Sequence, residues 1–535
     1  MRRYFSKAAG ILVLMILAWT STGDACIGER GEVPAFRSKP VLREKPILIP
    51  EGLPGAGRAL VSVEPTLVIL VQFTDRAGIT TQANWNTEMF AAANSMRDYY
   101  QEVSYYVAGV TGLDLPPASE TSAPNNNGVA GWYTITYTDN GNTYDEHPWN
   151  EFGANWLDST EASRWIAKAA VLAADPHVNF AAFDANGNGF ISAKELHIVV
   201  VVAGYEDSYS GSPNPATWRH HWSLATGVTV DGKVVLQGNQ GGGYSMVGEL
   251  RPNGSIIKFG LVSHEMGHDL GLPDLYDTDD DNGKSEGIGD WGLMGSGDWC
   301  KVTVDADSPS HLCAWSKIHL GWISPIVIHV DQSNVPITQV ETTPVAYKLR
   351  SGGQPETEHF LVTNRQRVGY DAGLVRSGSA HGLLIWHIDE ETINATLEDN
   401  EVNGNEECKG VDLECADGAA GHVPNADELD AETDCGDATD PWYLGNDADF
   451  HAGSAPDNRD YRHCHDTGPD VNTAVEVRDI SASGNPMRAD LKVGKAVPTL
   501  SGWGIIALVI LIVISSVWFF KRRERLTLIR TPYSK

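Results

Sequence analysis

The sequence predicts a mixed α/β domain, a β-rich second domain and one membrane-spanning segment near its end. Residues 66–73 form a strongly apolar, β-branched run, and residues 86–104 then have helical periodicity, an order typical of α/β layering. Short alternating segments separated by Gly, Pro and Asp turns fill residues 326–492, which indicates strands. The apolar run at 504–520 precedes a basic cluster at 521–525, the pattern of a single span with a cytoplasmic C-terminus.

The stretch most informative about chemistry is 263–274, which reads S-H-E-M-G-H-D-L-G-L-P-D. Residues four apart lie on one face of a helix, so His264 and His268 can direct two imidazoles at one metal ion. Glu265 then lies beside the open coordination position, where a bound water would sit. Two nitrogen ligands, a carboxylate base and a vacant position are what a zinc peptidase requires. The alternatives are a structural metal site and an inactive relative of such an enzyme.

A third zinc ligand is expected after the helix. Gly271 can end the helix in a left-handed conformation, so that the chain doubles back and Asp274 could supply an oxygen. Glu286, in a nearby acidic loop, is the other candidate. The segment 290–297, D-W-G-L-M-G-S-G, has the composition of a Met-turn, a tight loop that places a methionine beneath the metal. The predicted fold class of residues 63–325 is therefore an α/β zincin of the metzincin-like type.

A calcium loop is predicted at 184–195, where D-A-N-G-N-G-F-I-S-A-K-E matches an EF-hand loop position by position. The low charge of its first half favours a structural Ca²⁺ site of modest affinity. The alternative is a polar Asn-Gly turn between a helix and a strand. The predicted ligands are the side chains of Asp184, Asn186 and Asn188, the backbone carbonyl of Phe190 and both carboxylate oxygens of Glu195.

The strand that follows this loop, 196–204, is rich in β-branched residues. Peptides bind to sheet edges in extended form, and this strand is a candidate for the edge that holds a peptide substrate near the active helix. His220 and His221, in W-R-H-H-W, are predicted to be core or supporting residues and not metal ligands.

Composition excludes one class of function. The chain has 535 residues and a formal net charge of −31. Its acidic residues are spread over loops and leave no basic face, which argues against nucleic-acid binding. The excess of acidic residues is compatible with an exported protein that binds calcium. It is equally compatible with a protein that is acidic only because this keeps it soluble.

Seven cysteines are present, and none forms a C-x-x-C pair, so a cysteine-ligated zinc site is not expected. Cys300 and Cys313 could close a small loop just after the Met-turn, and Cys26 is left over. Four cysteines of the C-terminal region could form two bridges with three possible pairings: Cys408, Cys415, Cys435 and Cys464.

Six segments are predicted along the chain. The basic start, apolar run and small residues of the first segment are typical of a secretory signal. The protein is therefore expected to be exported to the cell envelope or surface, anchored by or released from its C-terminal segment. The predicted order is signal peptide 1–25, pro-segment or linker 26–62, catalytic domain 63–325, β-rich domain 326–492, sorting and transmembrane segment 493–526, and cytoplasmic tail 527–535.

Six stretches spread over roughly residues 65–490 carry a family resemblance: 67–75, 99–104, 184–195, 264–277, 382–389 and 410–418. The zinc segment, H-E-M-G-H-D-L-G-L-P-D-L-Y-D, is the most specific. Together they are similar to the immune inhibitor A-like family of secreted bacterial zinc metallopeptidases. The resemblance implies endopeptidase action on proteins, with His264 and His268 as zinc ligands and Glu265 as general base.

The tail resembles sorting segments that read Ile-Pro-Thr-Leu-x-x-Trp-Gly before a span and a basic end. Val497 stands at the first position, and residues 498–504 match the rest. This resemblance implies that export and sorting machinery are partners and that the C-terminal segment associates with the membrane.

The predicted function is hydrolysis of peptide bonds in proteins by a zinc-activated water, with Ca²⁺ as a structural cofactor. The competing hypothesis is a catalytically inactive, calcium-stabilised surface adhesin or binding module on a peptidase scaffold, which would hydrolyse nothing.

Overall fold

The computed structural model describes residues 61–119, 127–139, 141–149, 160–278, 285–352, 354–374, 381–418, 429, 435–465 and 468–494. The predicted signal peptide, all but the last two residues of the predicted linker, and residues 495–535 with the predicted span lie outside these ranges. Within them, no helix combines the length and the apolar character needed to cross a bilayer.

The first region contains both strands and helices. Its strands are β1 Ser62–Val63, β2 Thr66–Gln72, β3 Leu113–Asp114, β4 Val129–Thr134, β5 Tyr137–Asp139, β6 Asn142–Tyr144, β7 His197–Glu206, β8 Ala216–Thr217, β9 His220–Trp222, β10 Val228–Val230, β11 Lys233–Val235 and β12 Tyr244–Leu250. Its helices are α1 Gln82–Phe90, α2 Met96–Val103, α3 Thr160–Ala174, α4 Phe259–Asp269 and α5 Ala314–His319.

A six-stranded sheet is the scaffold of this region. Its main path runs β4–β2–β7–β12–β9, and β8 pairs with β7 beside that path. The strands β4, β2, β7 and β12 run parallel, whereas β9 is antiparallel to β12. The predicted mixed α/β architecture is therefore present.

The strand β7 lies in the centre of this sheet. It pairs with β2 on one side and with β12 on the other, so the prediction that strand 196–204 holds a substrate at a sheet edge is wrong. The edge strand that contacts α4 is β9, which carries His220 and His221. The pattern of β7 explains the correction, because an inner parallel strand is covered on both faces and β7 is apolar from Ile198 to Gly204.

The two faces of the sheet pack against different layers. In β2, Val68 and Leu70 belong to the cluster that includes side chains of α1, α2 and α4. Leu67, Ile69 and Val71 belong to the cluster that includes α3. Side chains point alternately to the two faces of a strand, so a continuous apolar run packs against the layers on both faces. This arrangement places α4 on the same face as α1 and α2.

Strands dominate the second region. They are β13 Ile326–Ile328, β14 Gln332–Ile337, β15 Tyr347–Leu349, β16 Glu358–Arg365, β17 Gly382–Asp389, β18 Val411–Leu413, β19 Glu476–Arg478 and β20 Met487–Lys492, with one helix, α6 Glu390–Thr396. They form a five-stranded sheet, β13–β15–β16–β17–β18, and a three-stranded sheet, β14–β20–β19. The predicted boundary at residue 326 stays a prediction.

A common core joins the two regions. The cluster that contains Val68 and Met266 also contains Trp386 and Leu413 of the second region. Because these side chains are buried together, each region removes apolar surface of the other from water. The helix α4, which carries the H-E-x-x-H residues, is therefore stabilised by residues from both halves of the chain.

Arg365 on β16 also connects the regions. It is almost fully buried, and its guanidinium donates to both carboxylate oxygens of Asp371. It donates further to the carbonyl of Trp291 at 3.2 Å and to that of His311 at 3.0 Å, both in the first region. A buried cation of this kind is tolerated because its donors are satisfied on every side.

The cysteines pair differently from the prediction. Cys408 and Cys464 are joined, and Cys435 is also disulfide-bonded. Cys415 is a buried thiol, so the prediction of two bridges among the four C-terminal cysteines is wrong. The predicted Cys300–Cys313 bridge is wrong as well, since both are buried thiols and the Cys313 sulfur accepts the Ser316 N–H at the start of α5. Sequence spacing does not set the Cβ geometry that a bridge requires.

Replacing Arg365 by Ala should lower the free energy of unfolding by about 3–5 kcal/mol, because Asp371 would stay buried without its cation. Chemical denaturation of the full chain, followed by tryptophan fluorescence, measures the change. Arg367→Ala is the matched control, since Arg367 is exposed two positions further on and its loss should cost less than about 1 kcal/mol. Equal effects of the two substitutions would contradict the role of Arg365.

Candidate metal centre

The helix α4 carries the H-E-x-x-H residues and is buried along nearly its whole length. It ends at Asp269, and Gly271 follows with a φ of +95°, a left-handed conformation that glycine adopts without strain. The Leu272 N–H then donates back to the Gly267 carbonyl at 3.0 Å. The chain therefore reverses direction directly after the second histidine, as the position of Gly271 in the sequence predicted.

Three side chains converge beside this reversal. The Nε2 atoms of His264 and His268 lie 3.0 and 3.3 Å from the same oxygen, Oδ1 of Asp274. One ligand atom from each of the three residues lies within 4.8 Å of the others. Two imidazole nitrogens and one carboxylate oxygen form a donor set that suits zinc. The structure thus brings together the three residues that the sequence predicted as zinc ligands.

Backbone carbonyls orient both imidazole rings. Nδ1 of His264 lies 2.9 Å from the Leu293 carbonyl, and Nδ1 of His268 lies 2.9 Å from the Leu272 carbonyl. A carbonyl oxygen only accepts, so each Nδ1 carries the proton and donates it. In the neutral ring this leaves the lone pair on Nε2, the atom that faces Asp274.

Asn400 orients Asp274, and sequence reasoning missed it. Its Nδ2 donates to Asp274 Oδ2 at 2.7 Å, and its Oδ1 accepts the Asp274 N–H at 2.7 Å. Asn400 has a φ of +59°, a left-handed conformation that asparagine tolerates better than most residues. It lies 126 positions after Asp274 in the second region, so no local pattern could have connected the two residues.

Met294 packs directly against α4. A Cβ atom on Gly267 would meet the Met294 Sδ at 2.4 Å, so the methionine occupies space that only a glycine leaves open. The Leu275 N–H donates to the Met294 carbonyl at 2.8 Å, and the Leu293 carbonyl orients His264. The segment predicted to be a Met-turn therefore lies against the histidine-bearing helix.

Glu286, the other candidate for the third ligand, takes a different place. It is not part of the group formed by His264, His268 and Asp274. Its Oε2 accepts from the Ser296 hydroxyl at 2.9 Å, which connects it to the Met-turn segment. The geometry favours Asp274 over Glu286 as the third donor.

The charges of His268 and Asp274 shift each other's pKa. Burial acts to lower the pKa of His268, but the Asp274 carboxylate outweighs burial and raises this pKa to about 9. Burial acts to raise the pKa of Asp274, but the neighbouring imidazoles hold it well below its usual range. Without a metal, His268 is therefore protonated at neutral pH, and a cation that binds here must displace that proton.

Glu265 is buried beside the histidines and faces Arg219. The Arg219 Nη1 lies 3.8 Å from Glu265 Oε1 and also donates to Asp298. Burial raises the pKa of Glu265, while the neighbouring His264 and Arg219 oppose the rise. Arg219 was not predicted from the sequence, although a basic residue between the aromatic residues of W-R-H-H-W was an available signal.

A chain of buried polar side chains supports the end of α4. Asp269 Oδ2 lies 2.6 Å from His197 Nδ1, and His197 Nε2 lies 2.9 Å from Glu64. His221 Nε2 lies 3.6 Å from Asp269 Oδ1. Among the described residues, neither His220 nor His221 belongs to a group that could hold a metal, and the supporting role predicted for them stays a prediction.

The five predicted calcium ligands lie in one compact loop, and Gly187 and Gly189 in it have φ of +73° and +88°. Lys233 Nζ lies 2.5 Å from Asp184 Oδ2, so an ammonium group contacts the first predicted ligand. Side-chain oxygens accept backbone N–H groups within the loop: Asp184 from Gly189, Asn186 from Asn188, Asn188 from Phe190, and Glu195 from Asn186 and Ser192.

Residues 58–323 match the family model described as immune inhibitor A peptidase M6, catalytic domain. The chain is 28% identical over 238 residues to the pre-pro-metalloprotease PrtV of Vibrio cholerae, covering 42% of this chain and 23% of that protein. It is 31% identical over 129 residues to immune inhibitor A of Bacillus thuringiensis, covering 22% of this chain and 18% of that protein. The chain thus spans less than a quarter of the length of these relatives.

These matches confirm the family resemblance predicted from the sequence. Residues 58–323 match the catalytic domain of peptidase M6, and the named relatives include a metalloprotease. His264, Glu265, His268 and Asp274 lie inside the matched range, whereas Asn400 lies outside it. The resemblance of the tail to sorting segments stays a prediction.

Replacing Asn400 by Gly should weaken metal binding about 10- to 100-fold, because Asp274 loses the donor that orients its carboxylate while glycine keeps the left-handed backbone. Competition with a metal-binding dye measures the affinity. Asn334→Gly is the matched control, since Asn334 also has a positive φ of 56° but lies exposed on β14. Unchanged affinity in Asn400→Gly would contradict the orienting role.

Proposed function

We propose that this chain, which carries a peptidase M6 domain at residues 58–323, is a zinc-dependent endopeptidase that acts on proteins outside the cell. The convergence of His264, His268 and Asp274 beside the buried Glu265 is the observation that carries the proposal. The family supports a metal and protein substrates. The donor set of two imidazoles and one carboxylate supports zinc as that metal.

His264, His268 and Asp274 would hold the zinc ion. When bound, zinc acts as a Lewis acid that polarises a peptide carbonyl and lowers the pKa of a water molecule. Glu265 is the general base, whose carboxylate takes a proton from the attacking water and later gives it to the leaving amine nitrogen. Burial raises the pKa of Glu265, which brings the pKa of this base closer to neutral pH and suits both transfers.

The outer edge of β9 is the proposed place of the substrate backbone. Among the described strands, β9 pairs with β12 alone, so its other edge offers N–H and C=O groups to an extended peptide. β9 contacts α4, which brings a peptide bound there close to Glu265. Trp218, just before β9, is 42% exposed and offers an apolar surface to a substrate side chain.

Export is proposed from the predicted signal peptide at 1–25 and the predicted pro-segment at 26–62. The Vibrio relative is named as a pre-pro-protein, which supports the same type of maturation here. The sorting and transmembrane segment predicted at 493–526 would hold the enzyme at the cell envelope or surface until it is released. Export and sorting machinery are the partners that this route requires.

Ca²⁺ is the proposed structural ion of the loop 184–195. The oxygens of Asp184, Asn186, Asn188 and Glu195 are supported there by the loop's own N–H groups, as in an EF-hand loop. Binding would displace the Lys233 ammonium from Asp184. That competition lowers the calcium affinity and fits an ion taken up at high extracellular concentrations.

Replacing Glu265 by Gln should lower kcat for casein by about 10²–10⁴-fold, because the amide cannot accept the proton of the attacking water. The zinc content should stay at the parent level, since Glu265 is not one of the three donors. Casein digestion and metal analysis of the same samples measure both quantities. A parent protein that hydrolyses nothing would support the inactive adhesin, and an active variant would contradict the role of Glu265.

Asp274→Asn and Glu286→Gln separate the two candidates for the third ligand. The first should weaken zinc binding by more than about 100-fold, because a neutral amide replaces a charged donor. The second should retain zinc, since Glu286 accepts a hydrogen bond from Ser296 instead. Zinc competition assays on the two variants decide the question, and the reverse ranking would assign the position to Glu286.

A further inference from the structure

Asp417, Asp437 and Asp440, in the second region, converge on one point. One potential ligand oxygen from each of them lies within 4.8 Å of the others. They lie at three depths, because Asp417 is exposed, Asp437 is half-buried and Asp440 is fully buried. Three carboxylates this close together repel one another unless a cation balances their charge.

The buried member of this group has an unsatisfied oxygen. Oδ2 of Asp440 accepts from the Trp291 indole N–H at 2.6 Å and from the Asp437 N–H at 2.8 Å. Its Oδ1 has no hydrogen-bond donor within the described part of the chain. Burial raises the pKa of Asp440, and the charges of Asp417 and Asp437 raise it further. A buried carboxylate oxygen without a donor is costly and points to a missing positive partner.

Thr439 lies between the other two members, and its N–H donates to Asp437 Oδ1 at 2.6 Å. Its hydroxyl oxygen lies 2.5 Å from Asp417 Oδ2 and 2.6 Å from Asp437 Oδ1. A threonine hydroxyl has one proton and can donate to only one of these two oxygens. The donors to the three aspartates named here are all uncharged, so none of them balances the charge of the carboxylates, in contrast to the buried Asp371, whose two oxygens both accept from the Arg365 guanidinium.

We propose that Asp417, Asp437 and Asp440 bind one Ca²⁺ ion. All three donors are carboxylate oxygens, which hard cations prefer, and the absence of imidazole or thiolate donors disfavours zinc and copper. Burial of Asp440 requires the ion to lose water on that side, which Ca²⁺ does more readily than Mg²⁺. This site is separate from the loop at 184–195, and the inference does not depend on the proposed function.

The proposed ion would stabilise the approach to the Met-turn. The Asp290 N–H donates to the Cys435 carbonyl at 2.8 Å, and the Trp291 indole donates to Asp440. The segment 435–440 thus lies against the residues that directly precede Leu293 and Met294. Calcium at the aspartates would hold this segment in place and, through Trp291, the loop that orients His264.

Terbium, which replaces calcium and luminesces when a nearby tryptophan absorbs light, is the first probe. The test uses the full chain, loaded with zinc and carrying Glu265→Gln to prevent self-digestion. It also carries Asp184→Asn and Glu195→Gln, which remove the other predicted calcium site. Luminescence excited through tryptophan is expected, because the Trp291 indole contacts Asp440, and added Ca²⁺ should quench it.

Adding Asp417→Asn and Asp437→Asn to this background should abolish the luminescence and weaken calcium binding by at least about tenfold. The rise of the thermal midpoint with Ca²⁺ should be lost in parallel. These replacements keep the side-chain shape, and they leave Asp440 and its bond to Trp291 intact.

Unchanged calcium binding after these replacements would overturn the proposal, and equal stabilisation by Mg²⁺ and Ca²⁺ would overturn the assignment of calcium. If the double replacement prevents cooperative unfolding, Asp417→Asn alone carries the test, because Asp417 is exposed. That variant should also bind calcium more weakly, and parent-like binding in it would refute the site. Zinc content and casein digestion of the chain with intact Glu265 test the metal centre separately.

Discussion

The constraint on which this structure depends is the placement of a single carboxylate oxygen between two imidazoles. Asp274 Oδ1 lies near Nε2 of both His264 and His268, although only the histidines share a helix. The helix sets the spacing of the two rings, and the reversal at Gly271 returns the chain to them. Hydrogen bonds from outside the helix then decide which atom of each group faces the others. Asn400 donates the hydrogen bond that orients the Asp274 carboxylate.

Buried charges in this protein fall into two groups. Some are compensated, such as Arg365 by Asp371 and Asp269 by His197. These pairs connect elements of the fold. Glu265 and Asp440 are buried acids whose partners do not offset the effect of burial on their pKa. Such acids are expected at functional sites, because a proton or a cation can bind to them and neutralise their charge.

The second region contributes residues that support the predicted metal centre. Asn400 orients a predicted ligand, Arg365 donates to the Trp291 carbonyl, and Asp440 accepts from the Trp291 indole. The match to the peptidase M6 model ends at residue 323, before all three. The predicted metal centre is therefore supported by residues beyond the matched domain, and a common apolar core holds the two regions together.

The sequence alone determined the parts of the protein that depend on local geometry. Helical spacing identified His264, Glu265 and His268, and glycine conformation predicted the reversal that presents Asp274. Tertiary structure decided which strand lies at the sheet edge, which cysteines pair, and that Asn400 completes the site. These outcomes depend on packing between distant segments. Backbone periodicity carries information over a few residues, whereas a contact across 126 positions exists only after the core has formed.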